Sequence, residues 1–465
     1  MTLGLLKNLS RTDTVGAMAL AAIFLLAGWK ISSRTPPANF MVPSGLVGSS
    51  PSTAKSTPEA GLAESGPQQL SPDGRFHFDS RFVSSEHGQA VHAASLAELG
   101  DGRLRAVWFS GSREGAGDVA IKTAVFDPIN LRWSDEATLF DRTHLQQDLQ
   151  RYVKKIGNPV IARMLDGSLM LWMVNVSIGG WAGSSISWTR STDDGVSWSG
   201  LRRLVTSPFL NISTLVKGTP FSYQDGQIGL PVYHEFITKS AEMLRIDAQG
   251  QVIDKIRIPA SQTSLQPVVF VNDTMRAQIY MRSGRSTAVM ASETIDAGAT
   301  WSPTRATSWP NPDSALAGVV TAAGEQWLAF NPNSKNRQTL ALLKTGRGGS
   351  FESAMPLTVE SPFGAETRLS VGNYERLLAD ELMAQGASQA QVRADVDSAK
   401  RQLCGADNCA QEFSYPYLLQ SRDGYLHLVY TWHRSRIKHV RLDPGQVFQL
   451  DAPLPESRRA APATH

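Results

Sequence analysis

The sequence predicts an all-β protein, a six-bladed β-propeller, on three observations. A strand–turn–strand unit recurs six times, a hairpin motif occurs twice between units, and the composition is rich in turn-forming and aromatic residues. The 465-residue chain contains 38 glycines and 11 tryptophans, which suits a turn-rich β protein better than a helical one. Repeating β units of about 40–50 residues are typical of propeller blades.

Each of the six units opens on a polar or small residue, runs through an apolar strand, turns near Asp-Gly and returns apolar. Their first residues are, in order, His92, Asn158, Thr219, Gln266, Asp313 and Tyr415. The last unit turns at Arg422-Asp423-Gly424, where glycine can adopt a positive φ. Successive starts lie 47 to 66 residues apart, except for 102 before the last. Six units therefore predict six blades.

Residues 1–32 have the features of a targeting segment. Lys7 and Arg11 precede a fifteen-residue apolar run, 15–29, and further basic residues follow it. The run is short for a spanning helix, which needs about 17–25 residues, but long enough for a signal sequence. Because no small-residue cleavage site follows, we favour an uncleaved signal anchor over a cleaved signal peptide. The chain would then be held in the cell membrane with its propeller on the periplasmic side, or be secreted after cleavage.

Composition divides the rest of the chain. Residues 33–75 are rich in Pro, Ser, Ala and Gly without hydrophobic periodicity, which predicts a disordered linker. The propeller is expected over 76–443, and 444–465 is expected to be a tail. Between blades five and six, residues 361–411 form an insertion with a helical apolar pattern, which could be a lid on one rim or inert decoration.

Cys404 and Cys409 lie close together within the insertion. A disulfide is the favoured interpretation in an oxidising compartment, with free thiols or a metal site as alternatives. We expect no metal or cofactor, because the chain has neither an HExxH pattern nor paired cysteine ligands. The formal charge of +3 without a basic block gives no reason to expect a nucleic-acid partner.

The segments 191–198 and 294–301 share the pattern S/T-x-D-x-G-x-S/T-W. In such a hairpin turn Asp accepts backbone N–H groups, Gly supplies a positive φ, and Trp packs beneath the turn. Both resemble the Asp-boxes of sialidases and related propellers, and residues 345–351 resemble a decayed third copy. The motif predicts fold rather than chemistry.

From Phe76 to Asp443 the chain resembles the sialidase (neuraminidase) superfamily, and within it the bacterial BNR/Asp-box repeat branch of predicted neuraminidases. The matching segments are His92-Ala-Ala-Ser-Leu, Gly157-Asn-Pro, Gln266-Pro, Pro310-Asn-Pro-Asp-Ser, Ser414-Tyr-Pro and Arg436-Ile-Lys-His-Val. The resemblance implies a six-bladed propeller and an exo-acting glycoside hydrolase for sialic-acid-like or other acidic glycans.

Candidate site residues lie where the innermost strands of a propeller begin, around its axis. The substrate-binding candidates among them are Asn158, Gln266 and Asp313, although such residues could instead cap strand ends or bind axial water. Tyr415 resembles the sialidase nucleophile, since sialidases use tyrosine in place of a carboxylate. A phenol with a pKa of about 10 needs an adjacent base, for which we select Glu235, with Glu412 in reserve.

The resemblance places the general acid in the loop after the first hairpin, where Asp118 is the best match and Arg113 a candidate for substrate binding. Arg282 and Arg337 match two of the three arginines with which sialidases bind the sugar carboxylate. At the position of the first arginine this chain has His92, which could act as a neutral or switchable donor or in catalysis. Uronate-containing or neutral polysaccharides are therefore possible substrates, and a polysaccharide lyase or a non-catalytic glycan-binding propeller are the alternatives.

Overall fold

The computed structural model describes residues 15–24, 35–42, 78–207, 211–364 and 366–447. Residues 15–24 are helical and exposed. Among the described residues, no helix is both long and apolar enough to cross a membrane. The remainder of the predicted signal anchor, most of the predicted linker and the tail after residue 447 lie outside the described residues.

Six antiparallel sheets form the blades, as predicted. Strand β1 spans Asp79–Phe82. Blade one contains β2 (Ala90–Glu98), β3 (Leu104–Gly111), β4 (Ala120–Asp127), β5 (Arg132–Trp133) and β6 (Ala137–Phe140). Blade two contains β7 (Lys155–Arg163), β8 (Leu169–Val176), β9 (Ser184–Ser191) and β10 (Arg202–Arg203). Blade three contains β11 (Leu215–Val216), β12 (Phe221–Ser222), β13 (Ile228–Glu235), β14 (Lys239–Ile246) and β15 (Val252–Arg257).

The remaining blades follow the same plan. Blade four contains β16 (Ser264–Val271), β17 (Ala277–Ser283), β18 (Ala288–Thr294) and β19 (Arg305–Pro310). Blade five contains β20 (Ala317–Val320), β21 (Gln326–Phe330), β22 (Leu340–Thr345) and β23 (Leu357–Glu360). After β24 (Arg368–Ser370) and β25 (Asn408–Ala410) in the insertion, blade six contains β26 (Phe413–Gln420), β27 (Leu426–Trp432) and β28 (Arg436–Leu442). Beyond the helical residues 15–24, the helices are α1 (Arg142–Leu149), α2 (Val371–Ala384), α3 (Gln389–Leu403) and the short α4 (Pro444–Val447). Two 3-10 turns lie at Trp181–Gly183 and Phe351–Ser353.

The ring of blades is closed by strands from the two ends of the propeller. β1 pairs antiparallel with β28, with Asp79 opposite Arg441 and Phe82 opposite Lys438, and so becomes the outermost strand of blade six. Closure of this kind covers an edge strand that would otherwise expose unpaired backbone groups.

Large side chains fill the space between neighbouring blades. Trp108, Trp172, Trp327 and Trp432 lie on the second strands of blades one, two, five and six, and all four are fully buried. An aromatic side chain removes roughly 150–250 Å² from water, so these residues dominate the packing between sheets. The apolar alternation that predicted the strands is therefore the pattern that packs the blades.

Both Asp-box turns have the hydrogen bonds that their residues predict. Asp193 accepts the Ser197 backbone N–H at 2.9 Å, and Asp296 accepts that of Thr300 at 2.8 Å. The glycine of the first turn, Gly195, has a φ of 85°. The turns join the third and fourth strands of blades two and four, and residues 345–351 occupy the same place in blade five.

The insertion packs against blades five and six. Tyr374, Leu378 and Leu382 of α2 are completely buried in one cluster with residues of blades five and six. The buried Asp395 of α3 pairs with Arg436 at 2.9 Å. A disulfide joins Cys404 to Cys409 at the end of the insertion. The insertion is thus part of the hydrophobic core rather than decoration.

A short part of the predicted disordered linker is also packed. Phe40 is fully buried, forms an isolated bridge with Tyr223, and stacks on the Tyr223 ring at 5.4 Å. The prediction of disorder across 33–75 is therefore wrong around Phe40. Composition missed it because one aromatic side chain can anchor an otherwise polar segment.

Candidate functional site

Five of the six innermost strands have a residue with left-handed backbone near their start, at the third or fourth position of the strand in four blades and four residues before it in blade five. These residues are Ala93 (φ 57°), Asn158 (φ 43°), Gln266 (φ 51°), Asp313 (φ 54°) and Tyr415 (φ 52°). In four of these strands the pairing register skips at this residue, which forms a bulge. Left-handed backbone costs a non-glycine residue about 1–2 kcal/mol. Such strain persists only where its surroundings enforce it, often at functional sites.

We call the end of the propeller at which these strands begin the axial face. Because strands alternate in direction within each blade, the loops between second and third strands lie on this face too. The residues that these elements bring to the axial face include Asp118, Glu235, Arg282, Arg337 and Arg434. The face therefore collects charged side chains from five blades.

Two of the six units depart from the predicted starts. His92 pairs with Phe109 one position before the bulge, so its equivalents in register are Gly157 and Ser414, not Asn158 and Tyr415. In blade three the innermost strand is split into β11 and β12, and the predicted start, Thr219, lies in the gap between them. The repeat pattern could not resolve a shift of one residue or a broken strand.

The Tyr415 hydroxyl lies in a network of phenols and amides. It accepts a hydrogen bond from Gln266 Nε2 at 3.0 Å, and the same nitrogen lies 3.3 Å from the Tyr233 hydroxyl. Asn158 Nδ2 donates to Tyr233 at 3.1 Å. Burial raises the pKa of Tyr233, so this phenol stays protonated. Among the described residues no carboxylate, Glu235 included, is hydrogen-bonded to Tyr415.

His92 lies against the face of the nucleophile candidate. Its ring centroid is 4.0 Å from that of Tyr415, and its Nδ1 is 2.9 Å from the Thr431 hydroxyl. Burial, together with the charges of Arg434 and Arg337, holds the pKa of His92 well below its usual range. The imidazole is therefore neutral at physiological pH, which is the first of the two forms, neutral or switchable, that the sequence allowed.

Lys217 is a buried amine that the sequence analysis missed. Its Nζ donates to the Pro416 carbonyl at 2.8 Å and lies 5.8 Å from the centre of the Tyr415 ring. Burial, followed by the nearby charge of Arg282, lowers the pKa of Lys217 to about 7. Through this hydrogen bond the amine fixes the backbone of the strained Tyr415–Pro416 bulge.

Three arginines converge on the axial face around two carboxylates. Glu412 is 3.3 Å from Arg337 and 3.0 Å from Arg434. Burial alone would raise the pKa of Glu412, but the charges of Arg434 and Arg337 outweigh it and the pKa is lowered. Arg282 lies 3.3 Å from Asp313, and Arg337 also donates to the Asp313 carbonyl at 2.9 Å.

Several buried polar atoms of this cluster lack a hydrogen-bond partner among the described residues. They are Oε1 of Gln266, Nε of Arg282 and Oδ1 of Asp313. The last two are in ion-pair range but not aligned for a hydrogen bond. Gln266 is fully buried and Arg282 is 9% exposed, so neither is freely solvated. Because buried polar groups in native proteins are almost always satisfied, these atoms mark a place for water or a ligand.

Two carboxylates predicted for catalysis lie farther from this network. Asp118 is exposed and accepts the N–H and the hydroxyl of Ser112, both at 3.0 Å, within its own loop. Arg113 of that loop is also exposed. The loop reaches the cluster through Glu114, which is 3.3 Å from Arg434. Glu235 ends β13 within electrostatic range of Tyr233 and Arg282.

The structure thus unites His92, Asn158, Gln266, Tyr415 and the arginine pairs, and adds residues that the sequence analysis did not select. The additional residues are Tyr233, Lys217, Glu114 and Arg434. Tyr233 had a usable signal, because it lies two residues before Glu235 in a strand that was already predicted. Arg434 had no such signal, because the sequence of the turn after the sixth strand–turn–strand unit is that of an ordinary polar segment.

Comparison with known proteins identifies the repeat. The profile of the BNR repeat-like domain family matches residues 102–428. None of the curated protein sequences compared with the chain matches it significantly.

Solved structures share the propeller at low sequence identity. A protein of unknown function from Dyadobacter fermentans superposes with a TM-score of 0.58 at 10% identity, covering 78% of this chain and 97% of its own. The Hadza microbial sialidase Hz136 gives 0.55 at 13% identity, covering 77% and 66%. The leech intramolecular trans-sialidase, solved with 2,7-anhydro-Neu5Ac, gives 0.54 at 12% identity, covering 79% and 70%. At these identities the similarity establishes the fold alone.

Proposed function

Because this chain belongs to the BNR repeat-like domain family, we propose that it is a glycoside hydrolase that removes acidic sugars from the ends of glycans, with Tyr415 as nucleophile. The observation that carries the proposal is the strained Tyr415, whose hydroxyl meets Gln266 beside buried, unpartnered polar atoms. The sialidase-like neighbours support a site for glycans.

The arginines supply the affinity for an acidic sugar. Guanidinium groups carry five donors in a planar fork, which suits bidentate binding of a carboxylate. In Arg282, Arg337 and Arg434 only part of these donors is used by Glu412, Glu114 and Asp313. A sugar carboxylate on the axial face would complete the set.

The chemistry follows from a phenol nucleophile. Tyr415 Oη attacks the anomeric carbon while the glycosidic oxygen leaves with a proton from an acid, and water later hydrolyses the glycosyl–tyrosine intermediate. Glu235 is the proposed base for the phenol proton. The proposed acid is Asp118, with Glu114 in the same loop as the competing carboxylate. Retention of configuration is expected from the two displacements.

Non-catalytic glycan binding is the second candidate function. It is favoured by the partner of Tyr415, which is an amide rather than a carboxylate, and by the commitment of Asp118 to its own loop. A lyase using His92 or Tyr415 as base stays a third outcome of the test.

We further propose that the protein acts outside the cytoplasm, attached to the membrane through its N-terminal segment. The Cys404–Cys409 disulfide supports this location, since disulfides persist in oxidising compartments.

The test compares wild-type protein, Tyr415→Phe and the matched control Tyr425→Phe on 3′-sialyllactose and uronate oligosaccharides. Tyr425 lies in the β26–β27 hairpin, at the end opposite the axial face. New reducing ends that are lost in Tyr415→Phe and kept in Tyr425→Phe would support the hydrolase. Absorbance from unsaturated uronate would establish the lyase instead. Binding without product would establish the glycan-binding propeller.

A further inference from the structure

The insertion between blades five and six reaches the turn that carries Arg434. This turn, His433–Arg434, joins β27 to β28 on the axial face, and both residues are left-handed, with φ of 46° and 55°. Two consecutive non-glycine residues in this conformation cost about 1–2 kcal/mol each. The turn therefore needs surroundings that enforce it.

Helix α2 of the insertion holds the first residue of the turn. The Tyr374 hydroxyl lies 2.9 Å from His433 Nδ1, and both side chains are fully buried. Burial raises the pKa of Tyr374 and lowers that of His433 to about 3. The phenol is therefore protonated and the imidazole neutral, so one hydrogen bond joins the hydroxyl and Nδ1, with its direction set by the imidazole tautomer. Phe363, also in the insertion, stacks on the imidazole with ring centroids 5.7 Å apart.

Helix α3 holds the second residue. Gln402 Nε2 donates to the Arg434 carbonyl at 3.1 Å, and the same carbonyl accepts the Val91 N–H at 3.0 Å. The His433 N–H donates to the Glu412 carbonyl at 2.8 Å. Hydrogen bonds thus fix the backbone of both His433 and Arg434, and the Arg434 guanidinium is positioned to pair with the Glu412 carboxylate.

We propose that the insertion, residues 361–411, is the positioning element for Arg434, and that Tyr374 and Gln402 thereby set the affinity of the axial face for a carboxylate. The inference rests on the proposed function in taking the ligand to be an acidic glycan. It assigns the insertion a role that neither a lid nor inert decoration would have.

The test measures binding of 3′-sialyllactose and of its carboxyl-reduced, neutral form. Tyr374→Phe keeps the ring and removes one hydrogen bond, and Gln402→Leu removes another at similar volume. We expect each to weaken binding of the acidic probe by about threefold to tenfold, the loss of one buried hydrogen bond, with binding of the neutral probe unchanged. Glu375→Gln, which breaks only the surface pair with Lys400, is the control and should match wild type.

A double-mutant cycle with Arg434→Gln separates positioning from general stability. In the Arg434→Gln background, Tyr374→Phe should have no further effect on binding of the acidic probe. Equal losses for the acidic and neutral probes, or full additivity in the cycle, would overturn the proposal.

Failure of the proposed function would be visible separately, because wild-type protein would then bind neither probe. In that case the same double-mutant cycle is applied to the unfolding equilibrium constant, measured by chemical denaturation without ligand. Coupling of Tyr374→Phe to Arg434→Gln of about threefold or more in the unfolding equilibrium would uphold the positioning role. Coupling of zero would refute it.

Discussion

The substitution Glu412→Gln tests whether one buried carboxylate offsets the cost of burying the arginines of the axial face and so stabilises the folded protein. The carboxylate is 11% exposed and lies 3.0 Å from Arg434 and 3.3 Å from Arg337. Removing one partner of a buried ion pair costs about 3–5 kcal/mol. The two arginines are 23% and 22% exposed, so water partly compensates them. We therefore expect the free energy of unfolding to fall by about 2–3 kcal/mol at pH 7.

The pH dependence of this difference follows from the lowered pKa of Glu412. A carboxyl whose folded pKa is depressed contributes stability above its unfolded pKa, about 4.3 for glutamate, and loses it as pH falls through the folded pKa. The gap between wild type and Glu412→Gln should be constant above about pH 5 and close in stronger acid.

Urea denaturation of both proteins between pH 3 and pH 8 measures this gap. Glu360→Gln, which removes a carboxylate that pairs with Lys438 and not with the arginines of the axial face, is a control for loss of an ion pair as such. An unchanged free energy of unfolding for Glu412→Gln at pH 7 would refute the reasoning, because the ion pairs of the carboxylate with the two arginines would then not stabilise the folded protein.

Three further predictions concern other groups. The free energy of unfolding of wild-type protein should rise relative to that of Lys217→Met by on the order of 3 kcal/mol between about pH 7 and pH 10, because in this range the amine is protonated in the unfolded chain and neutral in the folded one. A difference between the two proteins that does not change with pH would contradict this. Gln266→Met should lower the rate of glycan cleavage about tenfold or more while Tyr415 stays in place, because the phenols lose their shared donor; an unchanged kcat would exclude this role. Replacing Cys404 and Cys409 by serine should lower the unfolding free energy by no more than about 2 kcal/mol, because the closed loop is short; a larger loss in urea denaturation would contradict the estimate.

The fold could be predicted because its information is local and repeated. Each blade carries its own apolar alternation and turn residues, so units such as 158–176 and 415–430 were recognisable one at a time. The closing strand, β1, carried no such signal, because Asp79–Phe82 becomes a strand only by pairing with β28. The packed Phe40 was missed for the same reason.

The site could be predicted in part. Asn158, Gln266 and Tyr415 were found because a bulge recurs in four of the units, and in these three a polar side chain occupies it. Lys217 and Arg434 were missed because their roles depend on contacts between distant segments, such as Lys217 with Pro416 and Arg434 with Glu412. The partner of Tyr415 could not be chosen from sequence, since five blades contribute charged side chains to the axial face.

Covalent trapping tests the central claim most directly, that Tyr415 is the nucleophile of a hydrolase for acidic sugars. The protein would be incubated with a 2,3-difluorinated sialic acid and with a 2-fluorinated uronosyl fluoride, digested, and analysed by mass spectrometry. A sugar adduct on the peptide that contains Tyr415, absent from Tyr415→Phe, is the predicted result. An adduct on another residue, or turnover of acidic glycans by Tyr415→Phe at the wild-type rate, would contradict the account.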